Sequence, residues 1–85
     1  MANPADSETP PEPLRQLGHI IRSRRKNSGL RIDDAAALSG VSVDLLSRLE
    51  NGRSGVATDR LIKVLDALGL SLAIVDKASG TVQRA

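Results

Sequence analysis

The residues best supplied for chemistry in this 85-residue chain are its arginines. Arg22–Lys26 reads RSRRK, and Arg31, Arg48 and Arg53 follow further along. Guanidinium groups at this density can meet the phosphates of a polyanion, and a single one can fork onto a guanine edge. Charge is uneven along the chain: residues 1–13 carry −3, residues 14–63 carry +5, and residues 64–85 balance, for a net +2. Only the middle section is basic enough to approach a polyanion; the plain alternative is a solvated helix face. Other chemistries are poorly supplied. There is no Cys, which removes disulfides, thiolate zinc sites and thiol nucleophiles together. His19 is the only histidine and has no partner cluster, so it reads as a surface residue. Asp33-Asp34 suits the first turn of a helix, where the macrodipole favours acids, better than a metal site. With no glycine-rich phosphate loop and no Ser/His/acid set, the chain is not expected to be an enzyme or to hold a cofactor or metal.

The absence of Phe, Tyr and Trp removes the aromatic platforms on which single-stranded bases stack. No apolar run approaches the roughly 18 residues of a membrane span, and the N-terminus lacks a basic-then-apolar signal pattern. The expectation is a small, soluble, cytoplasmic domain without a membrane partner.

These side chains need elements to hold them, and the spacing predicts helices. All four prolines fall within residues 1–13, together with acids and small polar residues, which reads as a flexible N-terminal arm. From Leu14 the apolar positions take a helical period. Leu14, Leu17 and Ile21 lead to Gly29, and Ile32, Ala35, Ala36 and Ser39 lead to Gly40. Ser42 can cap a third helix, Val43 to Glu50, stopped at Asn51-Gly52, and Thr58 can cap a fourth carrying Leu61, Val64, Leu65 and Leu68. The expected core is Leu17, Ile21, Val41, Leu46, Leu49, Leu61, Val64, Leu65 and Leu68. Leu38 projects away from the small-residue face and is an expected exposed apolar spot.

The domain so outlined spans residues 14–69. Beyond it, LSLAIV is short, branched and apolar, which reads as a strand within residues 70–76, followed by a tail at 77–85. One strand cannot satisfy its own backbone groups. It either folds back through DKASG onto Thr81–Gln83 or pairs with the same strand of a second copy. The second option is favoured, because TVQ offers little apolar surface; Leu70, Ser71, Leu72, Ala73, Ile74 and Val75 are then the dimerising residues.

Gly29–Arg53 reads as two helices joined by a tight Ser39-Gly40-Val41-Ser42 turn, the helix-turn-helix pattern. Projecting the second of them at 100° per residue puts Leu46 and Leu49 on the core side. Asp44, Ser47 and Arg48 fall opposite, Val43 lies at the exposed N-terminal end, and Leu45 and Glu50 lie on the flanks. Such a helix, polar at its start and set beside cations, is shaped to enter a major groove.

Residues 17–68, with LSRLENG at their centre, resemble the lambda-repressor-like, XRE-type DNA-binding domain. VLDALGLSLAIVD (Val64–Asp76) further resembles the last helix and dimerising strand of HipB-type antitoxins. The resemblance implies an all-α fold, a compact bundle of four to five helices with a short C-terminal strand that pairs across a homodimer. It implies operator DNA and a HipA-type kinase toxin as partners, and a role as repressor and antitoxin. By position, Val43, Asp44, Ser47 and Arg48 would face base edges, and Asn51, Arg53 and Ser54 would meet phosphates. Where the family has Thr-Gln at the start of the second helix this chain has Arg31-Ile32, so the cap is lost and Arg31 remains as the phosphate ligand. Arg25 and Glu50 match an Arg–Glu pair of the family, and Glu50 projects to the core edge, so a structural salt bridge is expected. The alternatives are a plain XRE-type regulator without a toxin and a protein-binding module that no longer binds DNA.

Overall fold

A computed structural model describes residues 9–84 of the chain. Among them are four helices, α1 (Glu12–Asn27), α2 (Ile32–Ser39), α3 (Val43–Glu50) and α4 (Thr58–Ala67), followed by two short strands, β1 (Ala73–Val75) and β2 (Val82–Arg84). The fold is mainly helical. Of the expected arm, residues 1–8 lie outside the described residues, and α1 already begins at Glu12. Pro13 does not oppose that start, because the first turn of a helix has no intrahelical use for its N–H groups. Glu12 in the first turn and Arg24, Arg25 and Lys26 in the last complement the helix dipole.

α3 packs against α1 and α2, and α4 packs against α2. Ile21, Ala35, Ala36, Leu46, Leu49, Val64, Leu65 and Leu68 form the buried core. Ala35 and Ala36 give α2 a face without bulk, and this lets α3 and α4 approach it closely. Leu17, Val41 and Leu61, expected inside, are only half-buried and pack at the rim of the core with Leu30, Leu70 and Leu72. The caps also differ from expectation. Thr58 is the first residue of α4 rather than its cap; Ala57 occupies that position, and no side chain caps the helix.

Gly18 in the middle of α1 is buried, and a Cβ there would lie 2.5 Å from the carbonyl oxygen of Glu50 and 2.6 Å from that of Leu49. Only a residue without a side chain lets the end of α3 rest on α1. A second close contact lies one turn away. Gly52, with φ of 72°, sits on the backbone of Arg15, where a Cβ would approach Cα to 2.9 Å.

The expected strand at residues 70–76 is corrected in two ways. Leu70 and Leu72 pack half-buried on the helical core, and strand geometry begins only at Ala73. The pairing is within the chain: β1 and β2 form an antiparallel hairpin with Ala73 opposite Arg84, Ile74 opposite Gln83 and Val75 opposite Val82. Turn chemistry, not apolar surface, closes it. Asp76 Oδ1 accepts from the amides of Ala78 and Ser79 at 2.8 and 2.9 Å. The Asp76 carbonyl accepts from Gly80 N–H at 2.8 Å, while its own N–H donates to the Thr81 carbonyl at 2.9 Å. These bonds hold the Asp76 carboxyl below the usual carboxylate range, the Ser79 amide contributing most and the Ala78 amide next. Residues 77–84 are therefore part of the hairpin rather than a tail.

Candidate nucleic-acid interface

The α2–α3 unit is built from local bonds. The Gly40 amide donates to the Ala37 carbonyl and Val41 N–H to that of Ala36, so α2 ends in a tight αL turn, with Gly40 at φ 71°. Val41 packs at the corner, and buried Ser39 returns its hydroxyl to the Ala35 carbonyl at 2.7 Å. Two residues later Ser42 caps α3, its hydroxyl accepting from Leu45 N–H at 3.0 Å. That satisfies one of the free amides at the helix start and fixes the direction in which α3 leaves the turn.

Leu46 and Leu49 anchor α3 inward, and Val43, Asp44 and Arg48 are exposed, with Ser47 half-buried. Behind the helix, Arg25 Nε and Nη2 donate to the Glu50 carboxylate at 2.7 and 2.9 Å, and Arg25 Nη1 donates to the Leu30 carbonyl at 3.1 Å. One guanidinium thus joins α1, the loop before α2, and the last turn of α3. The side chains are 11% and 5% exposed, so the pair is desolvated and its second hydrogen-bond partner matters. The Glu50 hydrogen bond stabilises the charged guanidinium, with burial acting against it.

The cations and amides near α3 have definite partners. Arg31 starts α2 without capping it, and its Nε lies 3.4 Å from Asp33 Oδ1 at a strongly exposed pair. Asn51 Nδ2 donates to the Ser47 carbonyl at 2.7 Å, closing α3. Arg53 N–H donates to the Arg48 carbonyl at 3.0 Å, and Arg53 and Ser54 are exposed in the loop beyond. Arg48 has its guanidinium turned along the surface, with Nη2 donating to the Ser54 carbonyl at 3.2 Å. So Arg48, in the last turn of α3, reaches the loop that carries Asn51, Arg53 and Ser54, Val43 and Asp44 occupy the opposite end of α3, and Arg31 stands just before α2.

Two residues at this site escaped the sequence reading. Gly18 sets the distance between α1 and α3, and its only signal was a glycine inside a helical pattern. Arg15 was not among the candidate cations, yet its backbone touches Gly52 and so lies beside the loop carrying Arg53; its own side chain pairs with Glu12.

Residues 16–78 match the helix-turn-helix domain family, a stretch that includes all of α2, α3 and α4. The chain belongs to that family. Among relatives of this helix-turn-helix protein, the HTH-type transcriptional regulator y4mF of Sinorhizobium fredii is 32% identical over 59 residues, covering 69% of this chain and 78% of that one. The crystal structure of the clp gene regulator ClgR from C. glutamicum superposes with a TM-score of 0.65 at 38% identity, over 74% of this chain and 81% of that one. A chain of the HipA-HipB-O2-O3 complex superposes with a TM-score of 0.67 at 24% identity, over 74% and 89%, a likeness of fold alone. Family and fold are those of DNA-binding regulators rather than enzymes. No described helix is long and apolar enough to cross a membrane.

Proposed function

We propose that this helix-turn-helix protein is a sequence-specific DNA-binding transcriptional repressor that acts as a homodimer. The observation that carries the reading is α3 itself. It is capped by Ser42, braced from behind by Leu46, Leu49 and the Arg25–Glu50 pair, and turned to solvent with Val43 and Asp44 at its free end. In a major groove Val43 would touch a thymine methyl, Asp44 would accept from cytosine N4, and Ser47 would contact either strand's base edges. Arg31, Asn51, Arg53 and Ser54 would meet phosphates, whereas Arg25 of the Arg22–Lys26 run is spent on Glu50. The Arg31–Asp33 contact is no obstacle, since an exposed pair of this kind is worth about 1 kcal/mol or less.

Support for the dimer comes from the hairpin. A lone two-stranded hairpin is marginal in water, and Ile74, Val75 and Val82 are all more than half exposed here. Because Asp76 and Thr81 form a hydrogen-bonded pair, alternation turns the backbone groups of Ala73 and Val75 to the free edge of β1. A second copy added there, through Ala73–Val75, gives a four-stranded sheet about a two-fold axis. The operator would then be palindromic, with half-sites about 34–36 Å apart.

Within this reading the finer role is that of an antitoxin for a HipA-type kinase toxin, supported by the HipB-like sequence at Val64–Asp76. A plain regulator without a toxin is the second reading, supported by the likeness to ClgR. Selecting duplexes from a random-sequence pool tests the first claim: a two-fold-symmetric sequence should emerge, and recovery of the input pool would refute it. Affinity capture with the product of the neighbouring reading frame tests the second. A stoichiometric kinase-like partner supports the antitoxin role, and its absence leaves the plain regulator.

A further inference from the structure

Among the exposed residues of α3, Arg48 is the one whose charged end is already committed. Its Nη2 donates to the Ser54 carbonyl at 3.2 Å, while its own backbone carbonyl accepts from Arg53 N–H at 3.0 Å. The main chain and side chain of one residue therefore hold both sides of the Arg53–Ser54 peptide. Gly55 follows with φ of 84°, and a Cβ placed there would lie 3.4 Å from that same Nη2, so the loop passes directly against the guanidinium. Buried Gly52 and core-packed Val56 anchor the two ends of this stretch, but Arg53, Ser54 and Gly55 between them are exposed, and α4 begins at Thr58 with no side-chain cap. Asn51, on the other side of Gly52, is likewise fixed to the Ser47 carbonyl at 2.7 Å.

We infer that Arg48 is a positioning residue for the loop between α3 and α4, one that sets how Arg53 and Ser54 present themselves to a nucleic-acid backbone instead of reading a base. The inference rests on the DNA-binding reading above and assigns sequence discrimination to Val43, Asp44 and Ser47 alone. A loop ordered before it binds loses less conformational freedom on binding, and that gain is the same for every sequence. A base reader behaves differently, because its loss penalises only the duplex carrying its base.

The test compares wild type, Arg48→Ala and Arg48→Lys as full chains, by ¹⁵N relaxation of the DNA-free protein and by titration of a pool-selected duplex and its scrambled counterpart. With Arg48→Ala, the order parameters of the Ser54 and Gly55 amides should fall from about 0.85 to below about 0.6. Both duplexes should weaken by one common factor, leaving their affinity ratio unchanged. Arg48→Lys keeps a donor within reach of the carbonyl and should restore order and affinity together. A fall in the ratio of roughly five- to 150-fold would make Arg48 a base reader and overturn the inference. So would a lysine variant that regains affinity while the loop stays loose, since Arg48 would then be a plain phosphate charge. If wild type binds neither duplex, the DNA-binding reading fails on its own, and unchanged order parameters in Arg48→Ala would still refute the positioning role.

Discussion

Arg25 on α1 reaches the last turn of α3 and grips the Glu50 carboxylate with two donors, while its third nitrogen holds the Leu30 carbonyl. The helix-turn-helix unit is therefore fastened to α1 at both ends, at the entry to α2 and at the exit of α3. Because the pair is buried, removing one member strands a charge. Glu50→Leu or Arg25→Met alone should each cost about 3–5 kcal/mol, and the double variant should recover much of that loss. Urea unfolding of the four proteins in a double-mutant cycle checks this; purely additive losses would mean that the two side chains are not coupled.

Gly18 lies beneath the same turn of α3. An Ala in a helix interior normally stabilises by about 1 kcal/mol over Gly. Here the added methyl meets backbone carbonyls at 2.5 and 2.6 Å, which cannot move aside as a side chain would. Gly18→Ala should therefore destabilise, by about 1–3 kcal/mol as overpacking does, and should displace α3 from α1. Thermal melts decide the sign, and a raised Tm would refute the close crossing.

The free edge of β1 gives a test of the dimer that spares the monomer. At Ala73 the N–H faces away from β2, so Ala73→Pro removes a donor that the hairpin does not use. Sedimentation should show monomers whose helical signal is unchanged. Persistence of dimers would place the contact elsewhere on the chain.

Asp76 makes the hairpin pH-sensitive in a defined direction. Its carboxyl is held below the ordinary range by the Ser79 and Ala78 amides, so the folded hairpin prefers the ionised form. That contribution is complete above the unfolded pKa and is lost as pH falls through the lowered folded value. NMR titration should show the Ser79 and Ala78 amides losing their hydrogen-bonded shifts only in acid, with Asp76→Ala lacking them at all pH values.

The helices were legible in the sequence because their signals are local: an apolar period of 3.6 and a glycine after each run. The hairpin was legible only as the less favoured of two options. Its stability sits in the bonds of Asp76 to Ala78, Ser79, Gly80 and Thr81, whereas the apolar count of TVQ pointed to a partner chain. Thr58 was misplaced by one residue because a capping residue type at a helix start does not fix the register. At the interface, residue types picked out the exposed face of α3. They could not say that Arg48 bends back to Ser54, since that bond depends on the path of a loop with a glycine at positive φ. Arg15 was missed for the same reason: only the packing of Gly52 on its backbone brings it beside the loop.

The measurement that bears most directly on α3 as the reader of DNA is duplex selection repeated with Asp44→Asn. Asp44 is exposed in the first turn of α3, outside every contact that holds the helix in place. If it accepts from cytosine in the groove, the amide changes which base edge is favoured. The selected sequence should then alter at one position, symmetrically in both half-sites, with about 1–3 kcal/mol of discrimination against the old base pair. The same selected sequence, bound more tightly along with every other duplex, would mean that Asp44 only repels phosphate, which contradicts its place as a base reader at the free end of α3.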